Sequence, residues 1–429
     1  MILKLIYEPL LFIFGILYFP HLLKRMKQEP DQKRFLRERF GYYKTNAAEH
    51  QVIWIHAVSV GEVLAAKGFL RLLLDSLPDA HVVLSTTTPT GQQLAKKIES
   101  EHERVRAIYF PFDFGSAIKR AFDRIHPECI IIMETEIWPN LIKEAAKRGV
   151  PIGIVNGRIS NRAMKRYRWI KSFTRSIVKD LTYCFVLSEQ DKQRFLELGV
   201  RPECLRVSGN MKFDQETNLD LEEVARLQRE WQLVDHQVLI GGSTHAGEET
   251  ILIEAFQMLR REFPGLKLIV VPRYPERSPE VRALIERAGF KVNLASEGPQ
   301  PVSDVLILDQ MGILPIYYAL ADLVFVGGSL IPHGGQNPIE AARYFKPILH
   351  GAYVANFEEI YSNLDESGGA FLVDSETALY QQAASLLSDS KNLERAGRIA
   401  YECVEALKGA TRRNLELLKP IFLGQKVIN

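Results

Sequence analysis

Short apolar runs alternate with amphipathic stretches along the chain from residue 51 onward. The apolar runs have the length of buried strands, and the stretches between them carry apolar residues at helical spacing. This alternation is typical of parallel sheets covered by helices, so the pattern predicts an α/β fold. In the first half the predicted strands are residues 52–55, 82–85, 107–110, 129–133, 152–155, 184–187 and 205–207, and the predicted helices include 63–74, 117–125, 141–147 and 190–198.

The same alternation starts again after a polar stretch at residues 212–220, which predicts a linker. The pattern therefore predicts two Rossmann-like domains, residues 24–214 and 215–429, that face each other across a cleft and bind ligands at the carboxyl ends of their strands. Residues 393–418 are predicted helices that could pack back on the first domain. The second-half strands are predicted at 238–240, 266–271, 305–308, 323–326 and 348–350, with helices near 248–261, 279–288 and 338–344.

Composition limits the class of protein. A chain of 429 residues is too long for one ordinary core, which agrees with two domains. Its 54 basic and 52 acidic side chains leave a formal charge of +2, so a nucleic-acid binder is disfavoured. Four scattered cysteines without a C-x-x-C pair exclude a disulfide scaffold or a zinc ribbon and fit a reducing cytoplasm. Neither half carries G-x-G-x-x-G after its first strand, which weakens a dehydrogenase interpretation.

Residues 1–23 are apolar except for Lys4, Glu8 and His21, and they predict a membrane-anchor helix that spans the bilayer or lies in its interface. Residues 24–44 carry eight basic side chains against three acids. The positive-inside rule then places everything after the anchor in the cytoplasm. The alternative is a buried N-terminal helix followed by solvated basic residues.

The first predicted strand runs into the sequence WIHAVSVGE, which ends at Glu62 and precedes a helix. Glu62 is therefore expected at a strand-to-helix turn that faces the cleft. There the helix dipole would lower the pKa of its carboxyl and keep it ionised, which suits a base. Ser59 and Glu62 also have the S-x-x-E spacing of a capping box, so the alternative is that Glu62 only closes the helix end.

Two further carboxylates, Glu134 and Glu136, follow the apolar strand at 129–133. Strand alternation predicts that both lie on one side of the chain. Carboxylates brought together at a strand end need a cation or a substrate group that shares the site. The alternative is that one of them caps the helix that starts near Asn140.

The basic segment, residues 158–179, contains eight basic side chains and no acid, with Tyr167, Trp169 and Phe173 among them. Together with residues 24–44 it predicts a surface for a phosphorylated lipid or an anionic bilayer. A solvated helix face and a nucleic-acid site are the alternatives. Its basic residues are Arg158, Arg162, Lys165, Arg166, Arg168, Lys171, Arg175 and Lys179.

Four turns that contain glycine or proline follow strands of the second half: GGSTHAGEE, VPR, DQMGI and GGQNPIE. Backbone amides in such turns can bind phosphate. Arg273 adds a guanidinium, and Glu340 can accept hydrogen bonds from two ribose hydroxyls. Together the four turns predict a nucleotide pocket.

These stretches resemble, in the same order, the motifs of the 3-deoxy-D-manno-octulosonic acid (Kdo) transferase family: WIHAVSVGE, STTTPTG, ETEIWPN, GNMKFD, GSTHAGEE, VPR, DQMGI and GGQNPIE. The resemblance extends from the N-terminal segment to near Leu423. It implies a glycosyltransferase-B fold and an enzyme that moves Kdo from CMP-Kdo to lipid IVA, a phosphorylated lipid A precursor. The implied location is the cytoplasmic face of the inner membrane, and no cofactor or metal is expected.

The resemblance also implies roles for individual residues. By motif position, Glu62 corresponds to the catalytic base, and Glu134 and Lys212 correspond to a charge-stabilising pair. The family commonly carries Glu where this chain has Ile313 and His where it has Gln336. A cytidine contact made by that Glu side chain would be lost, whereas a contact made by the backbone would tolerate Ile313. The residues implied in CMP binding are Pro272, Arg273, Met311, Gly312, Ile313, Asn337, Pro338, Ile339 and Glu340.

The expected reaction is a single displacement with inversion. Glu62 takes a proton from an acceptor hydroxyl, which attacks the anomeric carbon of Kdo from the face opposite CMP. Lys212, Arg273 or a helix N-terminus would neutralise the leaving phosphate without a metal. The alternatives are another nucleotide-sugar enzyme of the same fold, such as an epimerase, and a non-catalytic membrane-tethered nucleotide-binding protein.

Overall fold

The computed structural model describes residues 7–13, 15, 17, 20, 26, 31–44, 51–214, 220–300 and 303–424. The chain divides into two compact units: Met1–Gln215 with Lys408–Asn429 is the first unit, and Glu216–Leu407 is the second unit. Each unit contains a seven-stranded sheet whose strand pairs are parallel. The α/β fold that the alternation predicts is therefore confirmed.

The first unit follows each strand with a helix or a short turn. Its sheet has the order β3-β2-β1-β4-β5-β6-β7, so the direction in which strands are added reverses between the neighbours β1 and β4. In chain order its elements are α1 (Gln32–Arg39), β1 (Gln51–His56), α2 (Val60–Ser76), β2 (Ala80–Thr86), α3 (Pro89–Glu101), β3 (Val105–Tyr109), α4 (Gly115–Ile125), β4 (Cys129–Met133), α5 (Pro139–Arg148), β5 (Ile152–Gly157), α6 (Asn161–Trp169), α7 (Lys171–Val178), β6 (Tyr183–Val186), α8 (Glu189–Leu198) and β7 (Leu205–Val207).

The second unit repeats the plan. Its sheet has the order β10-β11-β9-β8-β12-β13-β14, and the reversal falls between β8 and β12. In chain order the remaining elements are α9 (Leu221–Glu230), β8 (Val238–Thr244), α10 (Glu248–Glu262), β9 (Lys267–Pro272), α11 (Ser278–Arg287), β10 (Val292–Leu294), β11 (Val305–Ile307), α12 (Leu314–Tyr318), β12 (Leu323–Val326), α13 (Ile339–Ala342), β13 (Ile348–His350), α14 (Glu358–Ser367), β14 (Ala370–Leu372), α15 (Glu376–Ser388), α16 (Ser390–Ala406) and, in the first unit, α17 (Ala410–Phe422).

Both faces of the first sheet are covered. Along β1, Val52 and Trp54 belong to one apolar cluster, whereas Ile53 and Ile55 belong to another. Every residue of β4 is buried. A strand that is buried on both faces is apolar at consecutive positions, which explains why the sequence shows apolar runs here and no alternation.

The last helix, α17, supplies part of the second apolar cluster. Leu415, Leu418 and Ile421 lie at helical spacing and join the cluster that covers the α2 side of the sheet. The helix before it, Ser390–Ala406, lies in the second unit. Of the helices predicted over 393–418, only the part after residue 407 therefore packs on the first unit.

Several short elements differ from the sequence prediction. The strands β10 and β14 were not predicted; they have three residues each and lie at the two edges of the second sheet. The helix predicted over 338–344 extends only from Ile339 to Ala342. The linker predicted over 212–220 begins too early, because Met211–Asp214 forms a 3₁₀ turn within the first unit.

Much of the predicted anchor, residues 1–23, lies outside the described residues. Within the described part, Tyr7 donates a hydrogen bond from its hydroxyl to Asp113 Oδ2 over 2.9 Å, and its ring centroid lies 5.6 Å from that of Phe173. Leu10 and Phe12 are exposed. Among the described residues, no helix has the length and apolar character needed to cross a membrane.

Part of the basic sequence at residues 24–44 stabilises the fold. Arg39 is buried and donates from Nη1 to the carbonyl of Phe110 over 2.6 Å. Arg34 donates to the carbonyl of Ala107 and to Glu38. These two cations therefore face protein groups, which the sequence pattern alone does not reveal.

The packing of α17 makes a direct prediction about stability. Leu418 is fully buried in the apolar cluster, so Leu418→Ala should lower the free energy of unfolding by about 2–5 kcal/mol through lost burial and a residual cavity. Urea unfolding followed by tryptophan fluorescence measures the effect. The matched control is Leu423→Ala, because Leu423 is 64% exposed and its truncation should change the free energy of unfolding by no more than about 0.5 kcal/mol. Equal losses for both variants would contradict this packing.

Candidate active site

Glu62 lies in the first turn of α2, directly after β1. Its side chain is buried, and its carboxylate accepts hydrogen bonds from the Val58 amide over 2.7 Å and from the Ser59 hydroxyl over 2.9 Å. Ser59 is the N-cap residue, but its side chain makes no capping bond to the helix. The carboxylate thus holds the turn in place without the reciprocal bonds of a capping box.

Burial raises the pKa of the Glu62 carboxyl from its ordinary value of 4.5 to about 7. The Val58 amide and the Ser59 hydroxyl oppose this rise in pKa, whereas the negative charges of Glu134 and Glu136 add to it. The expectation that the helix dipole keeps this pKa low is therefore wrong, because desolvation of the carboxylate is the larger effect. A carboxyl with a pKa near 7 can take up and release a proton at neutral pH, which suits general acid–base chemistry.

Glu134 follows the last residue of β4, and its backbone leaves the strand conformation. Its φ is +59°, and its amide donates to the carbonyl of Val155 over 2.9 Å. A left-handed residue at this point breaks the alternation of side chains. Strand alternation therefore does not apply to Glu134 and Glu136, because the strand ends at Met133, although the charges of both residues raise the pKa of Glu62.

Lys212 provides the cation next to this carboxylate. Its Nζ lies 2.5 Å from Glu134 Oε1, and both side chains are partly exposed. Lys212 belongs to the 3₁₀ turn after β7. Two strand ends that are far apart in the sequence thus supply one ion pair, as the motif positions imply.

Asn156, at the end of β5, supports the Lys212 turn. Its side-chain Oδ1 accepts from the Met211 amide over 2.9 Å, and its own φ of +59° is one that asparagine tolerates better than most residues. Asn210 Oδ1 accepts from the Lys212 amide over 3.0 Å. Neither asparagine was assigned a role from the sequence: Asn156 is signalled by an amide residue at the end of an apolar run, and Asn210 by its place in the GNMKFD motif.

Glu136 adds a third carboxyl to this region. Burial raises the pKa of Glu136, and the charge of Glu134 raises it further. Neither Glu134 nor Glu136 caps α5, because Asp113 accepts from the amides of Asn140 and Leu141, each over 3.0 Å. Burial raises the pKa of Asp113 to about 7. The alternative in which a glutamate of this motif is a helix cap is therefore excluded for α5.

In the second unit the predicted nucleotide-binding residues follow neighbouring strands. The strands β11, β9, β8 and β12 are adjacent and parallel, so the turns after them emerge at one edge of the sheet. Pro272 ends β9, and the Arg273 amide donates to the carbonyl of Thr244, the last residue of β8, over 2.9 Å. The guanidinium of Arg273 lies 5.6 Å from the centroid of the Tyr274 ring.

The other predicted CMP residues lie after β11 and β12. Met311 and Gly312 are exposed, Gly312 has a φ of +86°, and Ile313 is the N-cap residue of α12. Asn337 accepts from the Ile339 amide over 3.1 Å and donates to Glu340 over 3.2 Å. Pro338 is the N-cap residue of α13. Burial raises the pKa of Glu340, and the Asn337 amide partly opposes that rise.

His245 and Glu248 connect these turns and were not assigned by the sequence analysis. A side-chain nitrogen of Gln336 lies 3.2 Å from His245 Nε2, and the His245 and His333 rings lie 4.0 Å apart. Glu248 is fully buried, and its carboxylate accepts from four backbone amides at 2.7–3.0 Å. The donors are Gly328, Ser329, Leu330 and His245. A buried carboxylate therefore fixes the turns after β8 and β12 to each other.

The basic segment forms α6 and α7 of the first unit. At their junction Trp169 is 92% exposed and Ile170 is 48% exposed. Arg168 forms an exposed ion pair with Glu197. The segment thus combines exposed apolar side chains with positive charge.

Among the residues described, no group of three or more histidine, cysteine or acidic side chains is placed to hold a metal ion.

Comparison with known proteins identifies relatives over most of the chain. A family model described as 3-deoxy-D-manno-octulosonic-acid transferase (kdotransferase) matches residues 34–215. The 3-deoxy-D-manno-octulosonic acid transferase of Haemophilus influenzae is 35% identical over 97% of this chain and 97% of its own length. The enzyme of the same name from Bordetella pertussis is 32% identical over 86% of each chain.

Solved structures share the fold at low sequence identity. UDP-GlcNAc 2-epimerase from Neisseria meningitidis, bound to UDP-GlcNAc, is 15% identical with a TM-score of 0.61, covering 85% of this chain and 100% of the epimerase. A glycosyltransferase from Rickettsia africae is 16% identical with a TM-score of 0.61, covering 87% and 99%. Because one neighbour is an epimerase and the other a glycosyltransferase, the shared fold does not decide the reaction.

The raised pKa of Glu62 predicts a pH dependence of stability. A carboxyl whose pKa is higher in the folded than in the unfolded state contributes stability that is complete below pH 4.5 and is lost as the pH rises through about 7. Glu62→Gln removes this loss. As the pH rises over this range, the unsubstituted protein should lose up to about 3 kcal/mol of unfolding free energy that the Glu62→Gln variant does not lose.

Urea unfolding at several pH values measures this difference, and the exposed Glu103→Gln in the same unit is the control. A difference between the unsubstituted protein and Glu62→Gln that does not change with pH would contradict a raised pKa.

Proposed function

The chain belongs to the Kdo transferase family, and on that basis we propose that it transfers Kdo from CMP-Kdo to lipid IVA, a phosphorylated lipid A precursor. The family makes the chain a glycosyltransferase of lipopolysaccharide synthesis. One observation carries the finer proposal. The buried carboxyl of Glu62 and the Glu134–Lys212 ion pair both lie at the ends of the strands where the first sheet reverses its strand order. Open α/β sheets bind ligands at this reversal.

In this proposal Glu62 is the general base. Its pKa of about 7 leaves a substantial ionised fraction at neutral pH, and the ionised form can accept the proton of an acceptor hydroxyl. The hydroxyl oxygen then bonds to the anomeric carbon of Kdo while the bond from that carbon to the CMP phosphate breaks. One displacement from the opposite face inverts the anomeric configuration.

Glu134 and Lys212 act as a pair in the same step. The transition state has oxocarbenium-like character on the sugar and growing negative charge on the leaving phosphate. Lys212 supplies a positive charge, and Glu134 holds it in place through its Oε1, which lies 2.5 Å from the Lys212 Nζ. Fixed charges of this kind stabilise a transition state without having to reorganise during the reaction.

The second unit binds CMP in this proposal. Arg273 carries the charge that complements the phosphate, and Glu340 accepts hydrogen bonds from the ribose. Support comes from the common edge at which β9, β11 and β12 end, which brings the turns with Arg273, Met311 and Asn337 together. We propose that these protein cations neutralise the leaving phosphate and that the reaction needs neither a metal nor a cofactor.

We also propose that the basic segment binds the anionic face of the inner membrane, where the lipid acceptor resides. Trp169 and Ile170 project from a segment with eight basic residues and no acid. Aromatic and aliphatic side chains enter the interface while basic residues contact anionic headgroups. Residues 1–23 would add to this attachment as an anchor.

The reaction is tested by incubating the protein with CMP-Kdo and lipid IVA and measuring the mass of the glycolipid by mass spectrometry. EDTA is included to remove divalent metal ions. The expected product carries one or more added Kdo residues, and the mass difference counts them. Turnover of a UDP-sugar and not of CMP-Kdo would overturn the proposal in favour of an epimerase-like enzyme. Binding of CMP without any turnover would overturn it in favour of a non-catalytic protein.

The role of Glu62 is tested in the same assay. Glu62→Ala removes the proton acceptor, so kcat should fall by about 10²-fold or more while the Kd for CMP-Kdo stays near normal. Isothermal titration measures the Kd. The exposed Glu103→Gln serves as the control for a lost carboxylate elsewhere in the unit. Unchanged turnover in Glu62→Ala would leave Glu62 with only its turn-forming role.

The membrane surface is tested by sedimentation with vesicles that contain an anionic phospholipid. Trp169→Ala should weaken vesicle binding on the order of tenfold, because a large apolar side chain no longer leaves water. Tyr353→Ala is the control, since Tyr353 is also exposed but lies in the second unit. Binding should also weaken as salt rises. Equal binding by Trp169→Ala and the unsubstituted protein would exclude this contact.

A further inference from the structure

The Lys212 loop, residues 208–214, is held by a helix that comes from nearly two hundred positions later in the sequence. Two groups at the start of α17 contact it: the Arg413 guanidinium contacts one end, and the first amides of the helix contact the other. Lys212 lies between these two attachment points. The loop's conformation therefore depends on the last helix as well as on the sheet.

At one end, Arg413 Nε donates to the carbonyl of Ser208 over 2.9 Å. The next residue, Gly209, has a φ of +86°, and a Cβ there would lie 2.9 Å from Arg413 Nη2. Glycine adopts this backbone conformation without strain, whereas a side chain here would strain the backbone and displace the guanidinium. Arg413 Nη1 also donates to the carbonyl of Lys408 over 3.2 Å, so one guanidinium bridges the loop and the segment that leads into α17.

At the other end, Asp214 caps α17 from outside the helix. Its Oδ1 accepts from the Gly409 amide over 2.6 Å, and its Oδ2 accepts from the Thr411 amide. Gly409 is the N-cap residue and has no side chain with which to satisfy these donors. A carboxylate at a helix N-terminus also interacts favourably with the helix dipole. The cap thus joins the loop to the helix by two charge-assisted hydrogen bonds.

Between the two ends, the apolar side of the loop is also engaged. Met211 is buried in the cluster that contains Ala410 and Leu415 of α17. Its amide donates to Asn156 Oδ1. These contacts leave the Lys212 side chain directed at Glu134, with Nζ 2.5 Å from Oε1.

From these contacts we propose that α17 is a positioning element for Lys212: Arg413 and Asp214 hold the loop so that the Lys212 ammonium stays beside Glu134. Arg413 and Asp214 are positioning residues, since they act through Lys212 and contact no reacting atom. The inference rests on the proposed role of Lys212 in Kdo transfer. It goes further in assigning a catalytic consequence to a helix that also contributes to the core.

The experiment compares Arg413→Ala and Asp214→Asn with the unsubstituted protein and with Lys212→Ala. Both positioning variants should lower kcat by about tenfold to a hundredfold, because a displacement of about 1 Å misplaces the ammonium, while KM for CMP-Kdo changes little. Arg413→Lys should restore part of the rate. Arg412→Ala is the matched control, since Arg412 is the preceding residue on the same helix and is exposed.

A second readout separates positioning from a merely structural role. When Lys212 leaves Glu134, the Glu134 charge is no longer compensated and repels the ionised form of Glu62 more strongly. The acidic limb of the kcat–pH profile should therefore move to higher pH in Arg413→Ala, as in Lys212→Ala. A lower melting temperature with an unchanged profile and unchanged kcat would overturn the inference.

A double-mutant cycle completes the test. If Arg413 acts through Lys212, adding Arg413→Ala to Lys212→Ala should cost no further kcat, whereas additive losses would overturn the inference. Lys212→Ala with normal turnover would instead contradict the proposed role of Lys212 itself. A slow Lys212→Ala beside normal Arg413→Ala and Asp214→Asn would leave the proposed function intact and overturn only the role of α17.

Discussion

Both candidate sites depend on one constraint of parallel sheets. The carboxyl ends of all strands lie at the same edge, and the turns that follow two adjacent strands leave a crevice between them where the order of strands reverses. In the first sheet this reversal lies between β1 and β4, and Glu62 and Glu134 follow these two strands. In the second sheet it lies between β8 and β12, which His245 and Gln336 follow. The chain order of the strands therefore decides which side chains meet.

The raised pKa values at the candidate site of the first unit follow from burial first and from repulsion between carboxylates second. Three carboxyl groups, Glu62, Glu134 and Glu136, influence one another, while the Lys212 ammonium pairs with Glu134. Burial and mutual repulsion then raise the pKa of Glu62 and Glu136. Proton affinity at neutral pH is thus a property of the whole group of charges and of its burial, rather than of the helix that carries Glu62.

The α/β class and most strands of both sheets were predictable, because strands such as Cys129–Met133 are apolar throughout and leave a strong local signal. The ordered motifs likewise pointed to Glu62, Glu134 and Lys212, whose roles stay predictions. What could not be predicted depends on contacts between distant residues. The raised pKa of Glu62 depends on burial, and α5 is capped by Asp113, which lies 27 residues before Asn140. The left-handed Glu134 donates its amide to Val155 on the neighbouring strand β5.

The return of α17 to the first unit has a consequence for biosynthesis. Five residues of α17 complete an apolar cluster whose other buried members precede the second unit in the chain: Ala410, Leu415, Leu418, Ile421 and Phe422. On the ribosome, these residues emerge only after the whole second unit has been translated, so the nascent first unit must wait with part of its core unfilled. Domains generally fold in the order of their synthesis. The first unit of this chain cannot finish folding before the second unit is synthesised. A polypeptide truncated before residue 408 has a first unit that lacks its final helix.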